Sequence, residues 1–262
     1  MNTIIKTVSI IALFSLAFLS SCDMDKYPYG VLPEEDGIQT VDNVASFIDG
    51  LYSQMRYLTT WGFVVYGDVQ TDCYHAVLGN GGLMNALYSG ILQPQMTEFE
   101  SVWNGYYSMI GSSNYIIENI KRLQESGDIT GKEELNQLKA YLGDAQFFRA
   151  YSYYHLVQYF CEAYDKNTAT LAYTGVPLSV TYNPSSNNTT YIPRNTLEEV
   201  YQQILTDLDD AGTYLKEYGP YPTDNLWAES PYFTINAVNA MKARVALSMK
   251  DYQNAYKISR AL

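Results

Sequence analysis

"FESVWNGYYSMIGSSNYIIENIKRL", residues 99–123, places Phe99, Val102, Tyr106, Met109, Ser113, Ile116, Ile120 and Leu123 at alternating steps of three and four. That spacing keeps one face of an α-helix apolar along its whole length, whereas a strand would need a period of two. The stretch therefore predicts a long amphipathic helix, in which Gly105, Gly111 and Ser112 are expected to let a neighbour come close. Beyond a polar turn at Gly127 and Gly131, residues 133–160 predict a second long helix. Leu138, Leu142, Ala145, Ser152, Leu156 and Tyr159 fall on one side of it. Two long helices across a short turn make an antiparallel pair, and the pair sets an all-α class.

Working outward toward the C-terminus, residues 165–194 are a polar loop with three prolines. Thr196 and Glu199 then stand as a capping box ahead of the stripe Leu197, Tyr201, Ile204, Leu208, Ala211 and Leu215. After "YGPYPTDNLWAESPYF" a small-residue helix carries Ala237, Ala240, Ala243 and Ala246. The final "ARVALSMKDYQNAYKISRAL" resembles a tetratricopeptide helix-turn-helix, with small residues at the helix contact and a short polar turn. The chain stops inside a helical pattern with no cap or breaker, so it is expected to be the front part of something longer.

Toward the N-terminus, Val44, Phe47, Leu51, Met55 and Leu58 predict a first helix over residues 43–58. Residues 59–95 lose the period, gather glycines and scatter Trp61, Phe63, Tyr66, Tyr74 and Tyr88 among Asp68, Asp72 and Asn80. They read as a long, partly ordered loop, a feature that is uncommon unless it is functional. The expected architecture is thus three or so tetratricopeptide-like helix pairs with long irregular loops, spanning residues 41–262.

The extreme N-terminus obeys different rules. Lys6 is the only charge before Asp23, and the uncharged run from Thr7 to Leu19 is shorter than the roughly 20 residues that a bilayer core requires. A short apolar run behind one positive charge reads as a secretory signal. Its end, Leu19-Ser20-Ser21-Cys22, is similar to the lipobox of bacterial lipoproteins. That resemblance implies cleavage after residue 21 and acylation of Cys22, and two or more chains would anchor the protein stably. A plain signal with an incidental cysteine is the alternative. Residues 22–40 read as an acidic tether without helical period.

Composition narrows the function. The 262 residues are 47% hydrophobic, enough for a sizeable core, and carry a formal charge of −12. Residues 1–21 hold one lysine and no acid, so their removal makes the chain more acidic still. Nucleic acid and anionic membrane surfaces select clustered Lys and Arg, and no such cluster occurs. With Cys22 committed to lipid, Cys73 and Cys161 remain. They read as separate core thiols, or as a disulfide, which an oxidising compartment permits.

Catalytic patterns are sparse. The two histidines, His75 and His155, do not form a zinc motif, no G-x-S-x-G elbow occurs, and no cofactor or metal is expected. "GDITGKE", residues 127–133, is one residue short of a phosphate loop and has Glu133 where Ser or Thr should bind magnesium, so it reads as a helix connection. Asp68, Asp72 or Glu98 could be paired as in a glycosidase, but a solvated acidic surface explains them more simply. His155 reads as a satisfied core histidine, and Arg149 as a buried ion-pair partner. Tyrosine stands out, at 26 residues. On the helices these rings fill the core. In the loop at 59–95 they offer flat apolar faces with polar handles, which suits the C–H face of a pyranose, while neighbouring polar side chains take its hydroxyls. Trp61, Tyr66, Asp72, Tyr74 and His75 are the candidate ligand-binding residues. Packing of that loop onto the helices is the competing explanation for each ring.

Five stretches in one order carry a family resemblance: "SSCDMDKYP"; "WNGYYSMIGSSNYIIENI" from Trp103; "LGDAQFFRAYSYYHLVQYF" followed by "GVPL" at Gly175; "PRNTLEEVYQQILTDLDDA" from Pro193; and "TINAVNAMKARVALSMKDYQNA" from Thr234. Together they resemble the SusD/RagB family of outer-membrane, glycan-binding lipoproteins. The resemblance implies a helical lid on a SusC-like TonB-dependent transporter that captures a glycan at the cell surface and passes it inward without breaking a bond. Its RagB side leaves room for a peptide or protein ligand, and an enzyme on the same scaffold is the more distant alternative. Family members run roughly twice this length, so a site drawn from these residues is expected to be partial.

Overall fold

The computed structural model describes residues 37–60, 62–71, 74–75, 77, 84–93, 95–183, 191–219 and 232–262, with side chains at 62 and 63 excepted. Cys22, Trp61, Asp72 and Cys73 lie outside the described residues, as do the signal segment and most of the tether. From Ile38 onward the described residues belong to one unit. Its elements are α1 (Val41–Leu58), α2 (Gly62–Val69), α3 (Asn85–Tyr88), α4 (Thr97–Ser126), α5 (Lys132–Phe160), α6 (Leu197–Tyr218), α7 (Ile235–Ser248) and α8 (Tyr252–Ser259). No strand occurs among the described residues.

The long helices form where their stripes predict. α4 buries Val102, Tyr106, Met109, Ser113, Ile116, Ile120 and Leu123. It ends at Gly127, whose left-handed backbone (φ 74°) suits a glycine C-cap. "GDITGKE" is therefore a helix connection, and α4 and α5 pack as a pair across it. α1 begins slightly earlier than its stripe indicates. Thr40 and Asn43 cap each other's backbone N–H groups, and the buried set is Val41, Val44, Ile48, Leu51 and Leu58. Phe47 is displaced to the edge of that set, against the Tyr115 ring at 5.4 Å. The fold also starts ahead of residue 41, since Ile38 is fully buried and Arg122 donates to its carbonyl.

α5 is the axis of the unit and departs most from a one-sided stripe. It touches α1, α4, α6 and α7, and residues 142–154 are buried without interruption. A helix enclosed on all sides must be apolar all round or have its polar groups paired. The rings of Phe147, Phe148, Tyr151, Tyr153 and Tyr154 satisfy the first condition. Arg149 satisfies the second: its Nε and Nη2 donate to Asp207 of α6 at 2.9 and 2.6 Å, and its Nη1 donates to Asn114 of α4 at 2.9 Å. One guanidinium thus ties three helices together. Tyr159, assigned by spacing to the buried side, is instead 36% exposed near the helix end.

Close approach happens at Gly143 and not at Gly111. A Cβ at Gly143 would stand 3.0 Å from Leu215 Cγ and 3.3 Å from the Ala211 carbonyl oxygen, so α5 and α6 meet there. A Cβ at Gly111 would meet nothing within 4 Å, which corrects the expectation of a contact at that position.

The polar loop before α6 is ordered by side chains that substitute for a sheet partner. Tyr107 donates to the Pro177 carbonyl at 2.7 Å, Asn114 to Ser179 and Thr181, and Tyr153 to Ser179, whose N–H returns a bond to the Tyr153 oxygen. Gly175 leaves no room for a Cβ, which would fall 2.6 Å from the Thr196 carbonyl oxygen. Thr196 and Glu199 form the expected capping box of α6. α7 and α8 close the chain as a helix pair, turning at Lys250 (φ 61°), with Asp251 capping α8.

Candidate functional site

Four helix ends converge away from the α4–α5 turn. The C-terminal turn of α1 presents Tyr57, which is 67% exposed, and α2 supplies Tyr66 and Asp68. The first turns of α4 supply Glu98 and Trp103, and the last turn of α5 supplies Tyr159 and Phe160. α2 touches both α3 and α4. This helix corrects the reading of residues 59–95 as loop. Its run Gly-Phe-Val-Val-Tyr-Gly-Asp-Val is too short and too evenly apolar to show a period, and it helps to define the site.

Charge and burial knit the rings together. Partial burial pushes the Tyr66 phenol up, and the nearby negative charge of Glu98 and then Tyr57 push it further. Burial likewise raises Tyr159, with Asp68 adding to it. Trp103 meets Phe160 edge-on at 5.0 Å and Tyr107 at 4.8 Å, which fixes the indole on the flank of the bundle. Beyond α2, His75 meets Tyr88 of α3 edge-on at 4.3 Å, and Tyr74 is 57% exposed.

Of the sequence-derived candidates, Tyr66 sits in this cluster, half-buried, while Tyr74 and His75 lie on the exposed connection leading to α3. The rings absent from the sequence-derived candidates are Tyr57, Trp103 and Tyr159. Tyr57 and Trp103 fall between the apolar positions of their own stripes, which is the signal that could have placed them at the surface. The remaining loose ends are structural. Cys161 is a free thiol, raised by burial, beside Arg194, which also holds the Gly175 and Phe160 carbonyls. Among the described residues no group of His, Cys, Asp or Glu is arranged to hold a metal ion, and no helix is long and apolar enough to cross a membrane.

A scaffold of antiparallel helix pairs that gathers ring faces and carboxylates at one end is a tetratricopeptide-like, all-α protein. The model of the SusD-like proteins, described as starch-binding and associating with the outer membrane, matches residues 24–247, and the chain belongs to that family. A SusD-like protein of Formosa agariphila is 26% identical over 246 residues, which covers 92% of this chain and 42% of the relative. Among solved structures, a SusD superfamily protein of Bacteroides fragilis superposes with a TM-score of 0.68 at 20% identity, covering 86% of this chain and 50% of that one. A laminarin-binding SusD-like protein superposes with a TM-score of 0.61 at 16% identity, covering 84% and 43%. The chain spans about half the length of the proteins it matches.

Proposed function

We propose that the protein is a cell-surface lipoprotein of the outer membrane, anchored through Cys22, that binds a glycan non-covalently and delivers it to a SusC-like TonB-dependent transporter. The observation that carries the binding step is the cluster of Tyr57, Tyr66 and Tyr159 beside Asp68 and Glu98. Ring faces accept the apolar face of a sugar, and carboxylates accept its hydroxyl protons. Trp61, Asp72, Tyr74 and His75, neighbours of Tyr66 in sequence, are proposed as further ligand-binding residues. Family membership supports the glycan as ligand, and the laminarin-binding relative makes a neutral glucan the first candidate. The reading is of capture without bond cleavage.

Calorimetric titration with laminarin and starch oligosaccharides tests the site. Trp61→Ala and Tyr66→Ala should each weaken binding about tenfold, or about 1.4 kcal/mol, while circular dichroism shows the helical content intact. Unchanged affinity in both variants overturns the assignment.

Peptide capture is the second reading, favoured by a groove of about 440 Å³ between α6, α7 and α8. Its walls carry both signs of charge, with Lys242 paired to Asp209 at 2.7 Å and with Glu198 and Lys166 nearby.

A further inference from the structure

α5 lines a concave surface near its N-terminus. Glu133, Asn136, Ala140 and Asp144 follow at helical spacing along one face of the helix, and they pass from exposed at Glu133 to buried at Ala140 and Asp144. That face is the floor of a cleft of about 390 Å³, walled by the rings of Tyr141, Tyr218 and Tyr232. The volume lies in the range of small-ligand sites. Residues 141 and 159 are about 27 Å apart along the helix at its usual rise, so the cleft is distinct from the aromatic cluster.

Asp144 gives the floor its chemistry. The residue is 3% exposed. Tyr52 donates its hydroxyl proton to Asp144 Oδ1 at 3.0 Å and accepts the Phe233 N–H at 2.7 Å, so the Tyr52 proton is committed. Burial pushes the carboxyl up to about 8, with the Tyr52 bond opposing the shift. Burial thus favours the carboxylic acid, whose O–H donor stands beside an acceptor oxygen, over the acceptor-only carboxylate. A hydroxyl on a ligand satisfies both. Glu133 at the mouth and the −12 charge of the chain disfavour an anion.

We propose that this cleft is a second glycan site, taking one or two rings of a neutral sugar between the tyrosines with a ligand hydroxyl on the Asp144 carboxyl. The proposal rests on the glycan-binding reading above and extends it to a separate place in the fold. A short oligosaccharide can then occupy either site, and a longer one has two footholds on the same protein.

The test is titration of the full ¹⁵N-labelled chain at pH 7 with maltose and with laminaribiose, following the backbone amides of residues 136–141, with D-glucuronate as the charged control. At least one disaccharide should move those amides, and glucuronate should compete at least tenfold more weakly. Asn136→Trp, a substitution at the half-exposed wall that plugs the mouth and leaves the core untouched, should abolish the shifts. Asp144→Asn, which keeps a donor and an acceptor, should retain them. Tyr66→Ala should leave the cleft shifts in place. If the disaccharides bind the wild type but Tyr66→Ala removes all binding, or Asn136→Trp changes nothing, the cleft proposal fails while the aromatic site stands. Equal competition by glucuronate also overturns it. If neither disaccharide, nor laminarin, binds at all, both readings fail together.

Discussion

Gly143 and Gly111 illustrate at the residue scale how little a residue type says without its surroundings. Both lie in long helices, but the sequence pattern marks Gly111 as suited to helix contact and passes over Gly143. At Gly143 the α6 surface leaves 3.0–3.3 Å for a new Cβ, tighter than packed cores tolerate without movement, whereas Gly111 faces open space. Gly143→Ala should therefore cost about 1–3 kcal/mol through overpacking. Gly111→Ala should stabilise by about 0.5–1 kcal/mol, because alanine is the better helix former and nothing must give way. Urea denaturation of the two variants beside the wild type measures the pair, and equal effects of the same sign would contradict the packing described here. The site residues divide in the same way. Tyr66 was legible because an aromatic in a glycine-rich stretch has few reasons to be there. Tyr57 and Tyr159 were not, because periodicity ranks positions by burial and is silent on exposed rings that meet across helix ends.

At the element scale, α5 shows what one-dimensional periodicity misses. Spacing assigned it a single apolar side, yet residues 142–154 are enclosed all round, which only the placement of α1, α4, α6 and α7 around it determines. Arg149 was expected to find a carboxylate and does so in Asp207. His155 was expected to be satisfied, but its buried Nε2 has no hydrogen-bond partner among the described residues. The ring stacks on Tyr106 at 5.3 Å and touches Tyr151 and Tyr154. Burial first, and then the charge of Arg244, lower it to about 4. Between about pH 6.5 and pH 4 the unfolded chain takes up a proton that the folded chain refuses, so this group makes stability fall as the solution is acidified. His155→Phe keeps a ring in the box and removes the titration. Relative to its stability at pH 7, the variant should gain about 1–2 kcal/mol over wild type at pH 5. Denaturation midpoints at the two pH values decide it, and parallel curves for the two proteins would show that the imidazole titrates normally in the fold. α2 is the opposite lesson: an eight-residue helix with glycine at its start and a second glycine inside leaves no readable period, and it emerges only from packing against α3 and α4.

For the whole molecule, the class and the order of the major helices followed from stripes and caps that local chemistry imposes, from the α4 pattern to the Thr196–Glu199 box. The two proposed binding places at the ends of α5 did not, because they depend on which side chains distant segments bring together: Tyr52 and Phe233 around Asp144, and Glu98 and Tyr57 around Tyr66. An uncharged polyhydroxyl chain is the ligand proposed for both places, and it is compatible with the acidic chain, the exposed rings and the raised Asp144 carboxyl. A glycan array probed with the full protein beside a peptide panel tests that claim most directly. Retention on neutral glucans, with the bound saccharide recovered intact, is the predicted result; binding confined to peptides, or release of shortened saccharides, would contradict it.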